Sequence, residues 1–337
     1  MFSPVDDVPP MQVAVTGASG HIGNVLCRVL LEQGHRVRAF YNADDHALVG
    51  LDLERVQGNV LVLADLLRLC AGCDVVVNCA AIISVHGDPT GIVYRTNTEG
   101  PRNIHAAAVA KGVKRLLHIS SVHAVTELPH SMPYNENRPY KTRSDYAYDH
   151  SKAMGEQVLF AELGKDALEL VVLRPSCVVG PYDTKPSKMG AALLDFLRGN
   201  VPVLPAGGYD MVDVRDVARS IVQAISKGRN GQIYVLSGKY YSMKELARAV
   251  QRVTGKRVPQ RVLSYGLLKA LLPFVALWAW FIGAPARFNI ESIDALKNGH
   301  PNMDSSKARR ELGHTTRPLD DSLRDFYQWQ KERGTIR

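Results

Sequence analysis

Three glycines at a fixed spacing near the start of the chain constrain its fold more than any other feature. They follow the apolar run Val13–Val15 and lie at Gly17, Gly20 and Gly23. A short apolar run of this kind is typical of a buried parallel strand. Gly17 allows a tight turn out of the strand, Gly20 lets a pyrophosphate approach the backbone, and Gly23 lets the next helix pack closely on the sheet. The pattern predicts a strand, a turn and a helix whose first turn binds phosphate.

Short strand-like runs recur along the chain, with helical patterns between them. The alternation predicts an α/β fold, a doubly wound parallel sheet of the Rossmann type with helices on both faces. Sheets of this type bind their ligands at the carboxyl ends of the strands. The predicted strands are Val13–Val15, Arg36–Phe40, Val60–Leu63, Val75–Asn78, Leu116–Ser120, Leu170–Leu173 and Ile233–Leu236.

The same pattern divides the chain into a core and an appendage. Residues 1–10 are acidic and contain prolines, so we expect a disordered leader rather than a signal peptide. Residues 11–180 are expected to form the dinucleotide-binding domain, and residues 208–238 are expected to return to it. Residues 181–207 and 239–330 are then expected to form a smaller C-terminal substrate domain at the carboxyl edge of the sheet.

An uncharged segment rich in aromatic residues, 270–286, lies inside the expected substrate domain. It is shorter than the ~20 residues that a membrane span needs, and Pro273 and Gly283 interrupt it. Its length and its two breakers favour a core helix or a helix over an apolar substrate pocket. The alternative that stays open is a patch that touches a membrane surface without crossing it.

Charge and cysteine content exclude some classes of function. The chain carries a net charge of +8, but its Lys and Arg residues are scattered, so we expect no nucleic-acid partner. The five cysteines are an odd number in a chain without a secretion signal, which indicates reduced thiols in the cytoplasm. Cys70 and Cys73 form one Cys-x-x-Cys without a second half-site, so we expect no metal.

Tyr148 and Lys152 are separated by four positions and therefore lie on the same face of a helix. A free phenol has a pKa of about 10 and is a poor base at neutral pH. A cation held beside it stabilises the phenolate, which allows the tyrosine to exchange a proton with an alcohol or a ketone. The spacing therefore predicts a proton-transfer site.

Several motifs in a fixed order, from Val13 to about Trp329, resemble those of the extended short-chain dehydrogenase/reductase family. Within that family the likeness is nearer to bacterial members described as dihydroflavonol-reductase-like or as NAD-dependent epimerase/dehydratase proteins. The motifs are Thr16–Gly23, Asp65–Leu66, Asn78–Ala81, Ile119–Ser121, Tyr148 with Lys152, Arg174–Pro175 with Gly180–Pro181, and Asp213–Ala218.

The resemblance implies roles for these residues. Tyr148 would be the general acid/base, Lys152 would lower its pKa and hold the nicotinamide ribose, and Ser121 would hydrogen-bond the substrate oxygen. Asp65 and Leu66 would contact the adenine. The cofactor-binding residues that the resemblance implies are Gly17, Ser19, Gly20, His21, Ile22, Gly23, Asn42, Asp65, Leu66, Ala80, Ala81, Lys152 and Pro175.

The second strand offers a weak indication of which cofactor is used, NAD or NADP. An acidic residue at its end suits the ribose 2′-hydroxyl of NAD, and an arginine suits the 2′-phosphate of NADP. The strand ends at Asn42, which is neither. Asp44 and Asp45 follow closely and would repel a 2′-phosphate, so the sequence favours NAD.

Three functions fit the motifs. The first is hydride transfer between the nicotinamide cofactor and a carbonyl or alcohol of a fairly apolar small molecule, which the uncharged segment favours. The alternative is a nucleotide-sugar epimerase or dehydratase that retains NAD, for which Lys185, Lys188 and Arg198 are candidate diphosphate ligands. The third, a non-catalytic nucleotide sensor, is disfavoured because it has no use for an intact catalytic set.

The resemblance also implies a homodimer, formed through the helix that bears Tyr148 and the helix that contains Pro101. A proline inside a helix removes a hydrogen bond and bends the helix, at a cost of ~3 kcal/mol. A bend at Pro101 would alter this interface.

Overall fold

The computed structural model describes residues 9–281 and 289–336, without the side chains of residues 275–281. The expected leader, residues 1–10, therefore lies outside the described residues except for Pro9 and Pro10. The same holds for the end of the apolar segment, residues 282–286.

In the described ranges the chain alternates strands and helices, and two short 3₁₀ turns lie at His46–Leu48 and Val122–Ala124. The elements are β1 (Gln12–Thr16), α1 (His21–Glu32), β2 (Arg36–Tyr41), β3 (Glu54–Gln57), α2 (Leu63–Cys70), β4 (Val75–Asn78), α3 (Ile92–Ala110), β5 (Arg115–Ile119), α4 (Ala147–Phe160), β6 (Glu169–Pro175), β7 (Cys177–Val179), α5 (Lys188–Leu197), β8 (Leu204–Pro205), β9 (Gly208–Asp213), α6 (Val214–Lys227), β10 (Gln232–Leu236), β11 (Lys239–Ser242), α7 (Met243–Thr254), β12 (Val262–Leu263), α8 (Tyr265–Phe281), α9 (Ile290–Asn298), α10 (Ser306–Leu312) and α11 (Leu319–Glu332).

The central feature is a seven-stranded sheet in the order β10-β6-β5-β4-β1-β2-β3, in which every neighbouring pair is parallel. The strand order reverses between β1 and β4, where doubly wound sheets bind their ligands. This topology confirms the predicted α/β fold. It also places the ends of β1, β4 and β5 side by side at one edge.

The two faces of the sheet are covered by different helices, as the alternation of strand side chains requires. Val13 and Val15 pack into a core that contains residues of α1 and α6. Ala14, between them, packs into a second core with residues of α2 and α3. The short apolar run of the sequence is therefore buried on both faces, as a central parallel strand should be.

The third strand was predicted at Val60–Leu63, and this prediction was wrong, because the strand lies at Glu54–Gln57. β3 is at the edge of the sheet, and its side chains are largely exposed, so it has no apolar run to mark it. The apolar residues that suggested a strand lead into α2 instead. Val60 packs in the core, but Val62 and Leu63 are 44% and 42% exposed.

A smaller region lies beyond β6. It contains a three-stranded sheet in the order β11-β9-β7, the pair β12 and β8, and a core formed mainly by α5, α7 and α11. β10 returns to the large sheet beside β6. The division of the chain into a dinucleotide-binding domain and a substrate domain stays a prediction.

Two helices contain a proline. α3 is assigned as one helix from Ile92 to Ala110 with Pro101 buried inside it, and α8 contains Pro273. The expectation that segment 270–286 packs in the core is not met by its described side chains, since Leu271 is 38% and Phe274 68% exposed. Among the described residues, no helix combines the length and apolar character needed to cross a membrane.

Candidate active site

The glycine turn after β1 is shaped by close backbone contacts. Gly17 has a φ of +63°, and a Cβ atom there would lie 2.8 Å from the backbone of Ala80, in the turn after β4. A Cβ atom at Gly23 would collide with the carbonyl oxygen of Gly17. Any side chain at either position would therefore displace the first turn of α1 or the neighbouring loop. Gly17 therefore allows the tight turn that the sequence predicts, and Gly23 lets the helix pack closely against that turn rather than against the sheet.

The N-terminus of α1 suits an anion. Gly20 is the N-cap, no side chain caps the helix, and no acidic residue lies in its first turn. The first N–H groups of a helix have no acceptor within the helix, so those of His21, Ile22 and Gly23 can bind a pyrophosphate. Ser19, in the turn just before Gly20, is partly exposed. The residues present therefore fit a dinucleotide.

A buried polar ladder joins the ends of the three central strands. The Thr16 hydroxyl donates to Asn78 Oδ1 over 2.6 Å, and Asn78 Nδ2 lies 3.0 Å from His118 Nδ1. The three residues are neighbours in register on β1, β4 and β5. The backbone N–H of Ala80 also donates to Asn78 Oδ1, over 3.2 Å. The ladder thus holds the turn after β4 against the glycine turn.

The remaining cofactor-binding candidates lie at or just after the carboxyl ends of their strands. Asn42 follows β2 and is exposed, and its carbonyl accepts a hydrogen bond from Gln57. Ala80 is half-buried and Ala81 is exposed in the turn after β4, while Pro175 is buried at the end of β6. The side chain of His21 reaches the loop after β7, where its Nε2 lies 3.0 Å from the carbonyl oxygen of Pro181.

The expectation that Asp65 and Leu66 directly follow the third strand is wrong, because the strand ends at Gln57 and both residues lie in α2. An adenine contact of Asp65 stays a prediction. Leu66 is fully buried in the core beneath α2, so its side chain cannot contact a ligand. The Asp65 carboxylate accepts from the backbone N–H of Asn59 over 2.9 Å and pairs with a neighbouring arginine of its own helix.

The residues that closely follow β3 are Gly58, Asn59 and Val60. The signal that could have found them is Gly58, which directly follows the strand. A Cβ atom at Gly58 would lie 2.6 Å from the ring of Phe40, so a larger residue would clash there.

The three catalytic candidates come together beyond the end of β5. Ser121 caps the 3₁₀ turn after that strand, and its Oγ accepts from the backbone N–H of His123. Tyr148 lies in the first turn of α4, and its phenol is within reach of the Ser121 hydroxyl. Lys152, one turn later, donates from Nζ to the Ile119 carbonyl over 3.0 Å.

Burial dominates the electrostatics of this group. Burial raises the pKa of Tyr148 above its usual value, while the Ser121 hydroxyl lowers it and the Asp149 carboxylate raises it further. Burial also lowers the pKa of Lys152 to about 8, against the carboxylate of Glu156 and the thiol of Cys79, which raise it. The expectation that the phenol pKa is lowered is therefore not met in the protein alone, where burial raises it.

Glu156 extends the same face of α4 by another turn and fixes the helix to the sheet. Its carboxylate accepts from Arg174 Nε and Nη2 over 2.9 and 2.6 Å, and from the Tyr140 hydroxyl over 3.0 Å. Arg174 and Glu156 are 1% and 0% exposed. Although burial lowers it, the Glu156 carboxylate keeps the pKa of Arg174 above its usual value. The Arg-Pro motif of the sequence thus positions the helix that carries Tyr148 and Lys152.

A polar cluster beside Tyr148 combines residues that the sequence analysis did not group. The His123 ring centroid lies 6.1 Å from that of Tyr148, and His123 Nδ1 is 3.4 Å from Asp149. His123, Glu127 and Asp149 have ligand-type atoms within 4.8 Å of one another. The Lys141 ammonium lies 2.6 Å from Glu127 and 3.7 Å from Asp149, so a cation already occupies the space beside these carboxylates and would compete with a metal ion. The set is therefore a poor fit for a metal ion.

Sequence comparison identifies relatives along almost the whole chain. The model of the NAD-dependent epimerase/dehydratase family matches residues 13–237. A sterol demethylase protein B of Methylococcus capsulatus is 32% identical over 97% of this chain and 100% of its own length. A putative dihydroflavonol 4-reductase of Synechocystis is 30% identical over 96% and 95%. A 3-beta-hydroxysteroid dehydrogenase of Mycolicibacterium neoaurum is 28% identical over 90% and 86%.

Solved structures agree with the topology. The crystal structure of gox2253 superposes with a TM-score of 0.83 at 29% identity and covers 96% of this chain and 99% of its own. A nucleoside-diphosphate-sugar epimerase from Pseudomonas aeruginosa superposes with a TM-score of 0.80 at 23% identity, which shows the fold alone. The relatives include reductases and dehydrogenases, which identify the protein as an NAD(P)-dependent oxidoreductase that acts on a small molecule. Because its family model covers most of the chain, the protein belongs to the NAD-dependent epimerase/dehydratase family of extended short-chain dehydrogenase/reductases.

Proposed function

We propose that the protein transfers a hydride between NAD and an alcohol or ketone carbon of a large apolar molecule of the sterol class. The observation that carries the reaction is the convergence of Ser121, Tyr148 and Lys152 beyond β5, beside the glycine turn that fits a dinucleotide. Full-length relatives named for sterol demethylation and for 3-beta-hydroxysteroid dehydrogenation support the substrate class. The family description supports NAD as the cofactor.

The three catalytic side chains have different roles in the proposed reaction. When bound, the cofactor would supply a hydride acceptor for oxidation as NAD and a hydride donor for reduction as NADH. The Ser121 hydroxyl donates a hydrogen bond to the substrate oxygen and stabilises the charge that develops there. The Tyr148 phenol gives its proton to that oxygen in reduction and recovers it in oxidation. The Lys152 ammonium favours the phenolate that remains after the proton leaves.

The nucleotide-sugar alternative requires cations that converge on a diphosphate. Lys185 is 77% exposed and lies 3.8 Å from Asp44, near the end of β2. Arg198 donates to the carbonyl of Thr335, near the C-terminus, and Lys188 is the first residue of α5. Lys185 and Arg198 therefore contact different parts of the protein and do not converge on one diphosphate. This favours the apolar substrate over a nucleotide sugar.

Two further properties belong to this proposal. We expect a homodimer through α3 and α4, since Pro101 does not interrupt α3 and this helix exposes Ile92 and Tyr94. We place the protein in the cytoplasm, because all five cysteines are free thiols.

Tyr148→Phe tests the proposed proton route. With a 3β-hydroxysterol and NAD, we expect the wild-type protein to form NADH and the variant to be slower by about 10²- to 10⁴-fold, as is usual for loss of a general acid/base. The matched control is Tyr327→Phe, at a half-buried tyrosine on α11, which should keep wild-type turnover.

Wild-type turnover in Tyr148→Phe would refute the proton route. Tightly retained NAD without net NADH formation on any sterol, together with conversion of nucleotide sugars, would instead establish the epimerase alternative.

A further inference from the structure

We propose that the protein docks on an anionic membrane surface through one side of α8. The docking surface, here called the α8 face, consists of the apolar side chains Leu267, Leu271 and Phe274, and the exposed cation Arg261 lies four residues before the helix begins. This interaction goes beyond hydride transfer and names a partner of defined chemistry, a bilayer that contains anionic lipids.

The apolar part of the α8 face is a continuous stripe. Leu267, Leu271 and Phe274 follow one another at intervals of four and three residues, which places them on one side of a helix. They are 48%, 38% and 68% exposed. Isolated exposed apolar residues are ordinary, but a row of large ones along a helix marks an interaction surface. Apolar side chains exposed along a helix can bind a membrane interface by burying their apolar area among the lipids.

The charge of the segment that contains α8 points to the partner. Residues 246–290 contain seven Lys and Arg residues and no Asp or Glu, in a chain whose total net charge is +8. These cations are Arg248, Arg252, Lys256, Arg257, Arg261, Lys269 and Arg287. Arg252 is paired with Asp320, outside the segment, whereas Arg257, Arg261 and Lys269 are exposed. Each cation near an anionic membrane surface adds to binding. A second copy of the chain would bring the same positive charge against this surface and is disfavoured.

The α8 face is connected to the candidate active site. The Tyr265 hydroxyl, at the start of α8, donates to Asp294 Oδ1 over 2.6 Å. The other oxygen of Asp294 accepts from the Tyr146 hydroxyl over 2.5 Å. Tyr146 is the N-cap of α4, two residues before Tyr148. A docked α8 would therefore hold the catalytic helix near the bilayer, where a substrate of the sterol class resides; this functional benefit rests on the proposed function, but docking does not.

Vesicle sedimentation tests the docking. Purified protein is mixed with vesicles of phosphatidylcholine and phosphatidylglycerol in a 3:1 ratio, and with vesicles of phosphatidylcholine alone. We expect binding to the anionic vesicles at low salt, weak binding to the neutral ones, and loss of most binding at about 0.5 M salt because the charges are screened.

Two single variants separate the apolar and the electrostatic contributions. We expect Phe274→Ser to lower partitioning about tenfold, because an exposed aromatic side chain no longer enters the interface. We expect Arg261→Gln to lower it about fivefold, the effect of one cation at an anionic surface. The matched controls are Val49→Ser, at a position 59% exposed on another loop, and Lys111→Gln, at an exposed cation after α3. Both controls should partition as the wild type, and thermal unfolding verifies that all four variants are folded.

Three results would overturn the proposal. The first is a wild-type protein that stays in the supernatant with anionic vesicles at low salt, and the second is wild-type partitioning of folded Phe274→Ser. The third is a change of oligomeric state in Phe274→Ser without lipid, which would make the stripe a contact between copies. Because no substrate is present in these assays, their failure leaves the proposed reaction untouched, and failure of sterol turnover leaves docking untouched.

Discussion

Lys152 shows how burial of a single residue changes its pKa and with it the pH range of the reaction. In water an ammonium of this type titrates near pH 10.5, but burial lowers the pKa of Lys152 to about 8. The folded protein therefore holds a cation at neutral pH that is poised to lose its charge. Sequence spacing predicts that Lys152 lies beside Tyr148, but it cannot predict this value, because the surrounding groups come from β4, β5 and other turns of α4.

A pH profile tests this property. Below about pH 8 Lys152 is charged and supports loss of the Tyr148 proton, and above that value the support is lost. We expect kcat/KM for carbonyl reduction to fall above about pH 8. In Lys152→Arg the guanidinium stays charged, so the fall should move upward by more than one pH unit, although activity itself drops by about 10²-fold. An unchanged fall near pH 8 in Lys152→Arg would assign it to another group.

The polar cluster around His123 is a group of residues that the sequence does not predict to be neighbours. His123, Glu127, Lys141 and Asp149 are spread over more than 25 positions, and their order resembles no motif that indicates proximity. They meet only because the turn after β5 and the start of α4 face each other. A pattern based on fixed spacing cannot detect such a group.

At the scale of elements, one face of α4 bears both the proton-transfer residues and the residue that fixes the helix to the sheet. Tyr148, Lys152 and Glu156 are spaced by four, so they follow one another along the helix. Glu156 binds Arg174 at the end of β6, without solvent exposure on either side. This pair sets the position of the helix relative to the sheet edge, and with it the position of the phenol.

A double-mutant cycle measures this support. Glu156→Leu and Arg174→Met each leave the other charge buried and unpaired, so each should reduce the free energy of unfolding by ~3–5 kcal/mol. The double variant should lose less free energy of unfolding than the two single variants together, because neither buried charge remains. The measurement is urea unfolding at pH 7.

The exposed pair of Arg252 and Asp320 provides the control for this cycle, since Arg252 is 59% exposed. Arg252→Met should change the free energy of unfolding by at most ~1 kcal/mol. Strictly additive losses in the buried cycle would contradict a coupled ion pair.

The strands show which elements the sequence can predict. β1, β4, β5 and β6 are buried, so their apolar runs are visible without a structure. β3 lies at the edge, is largely exposed, and was predicted six residues too late in the chain. The prediction that Asp65 and Leu66 directly follow this strand fails for the same reason, because it depends on where the strand ends.

At the scale of the whole molecule, we expect two copies of the chain to associate. We expect light scattering to give twice the 37.1 kDa of one chain, because α3 and α4 form the proposed dimer interface. Ile92→Glu, at a position 40% exposed on α3, should shift the mass toward that of one chain, since a charge in an apolar interface is unfavourable. Val49→Glu is the control on a separate loop. A wild-type mass of 37.1 kDa at high concentration would exclude the dimer.

The sequence by itself determined the features that depend on neighbouring residues. The strand, turn and helix around Gly17, Gly20 and Gly23 follow from local backbone geometry, and the shared helix face of Tyr148 and Lys152 follows from the helical repeat. The tertiary structure decided the features that join distant segments: the edge strand β3, the pair of Glu156 and Arg174, and the exposure of α8. Burial and pairing depend on which elements pack together, and a linear spacing carries little information about contacts between residues far apart in the chain.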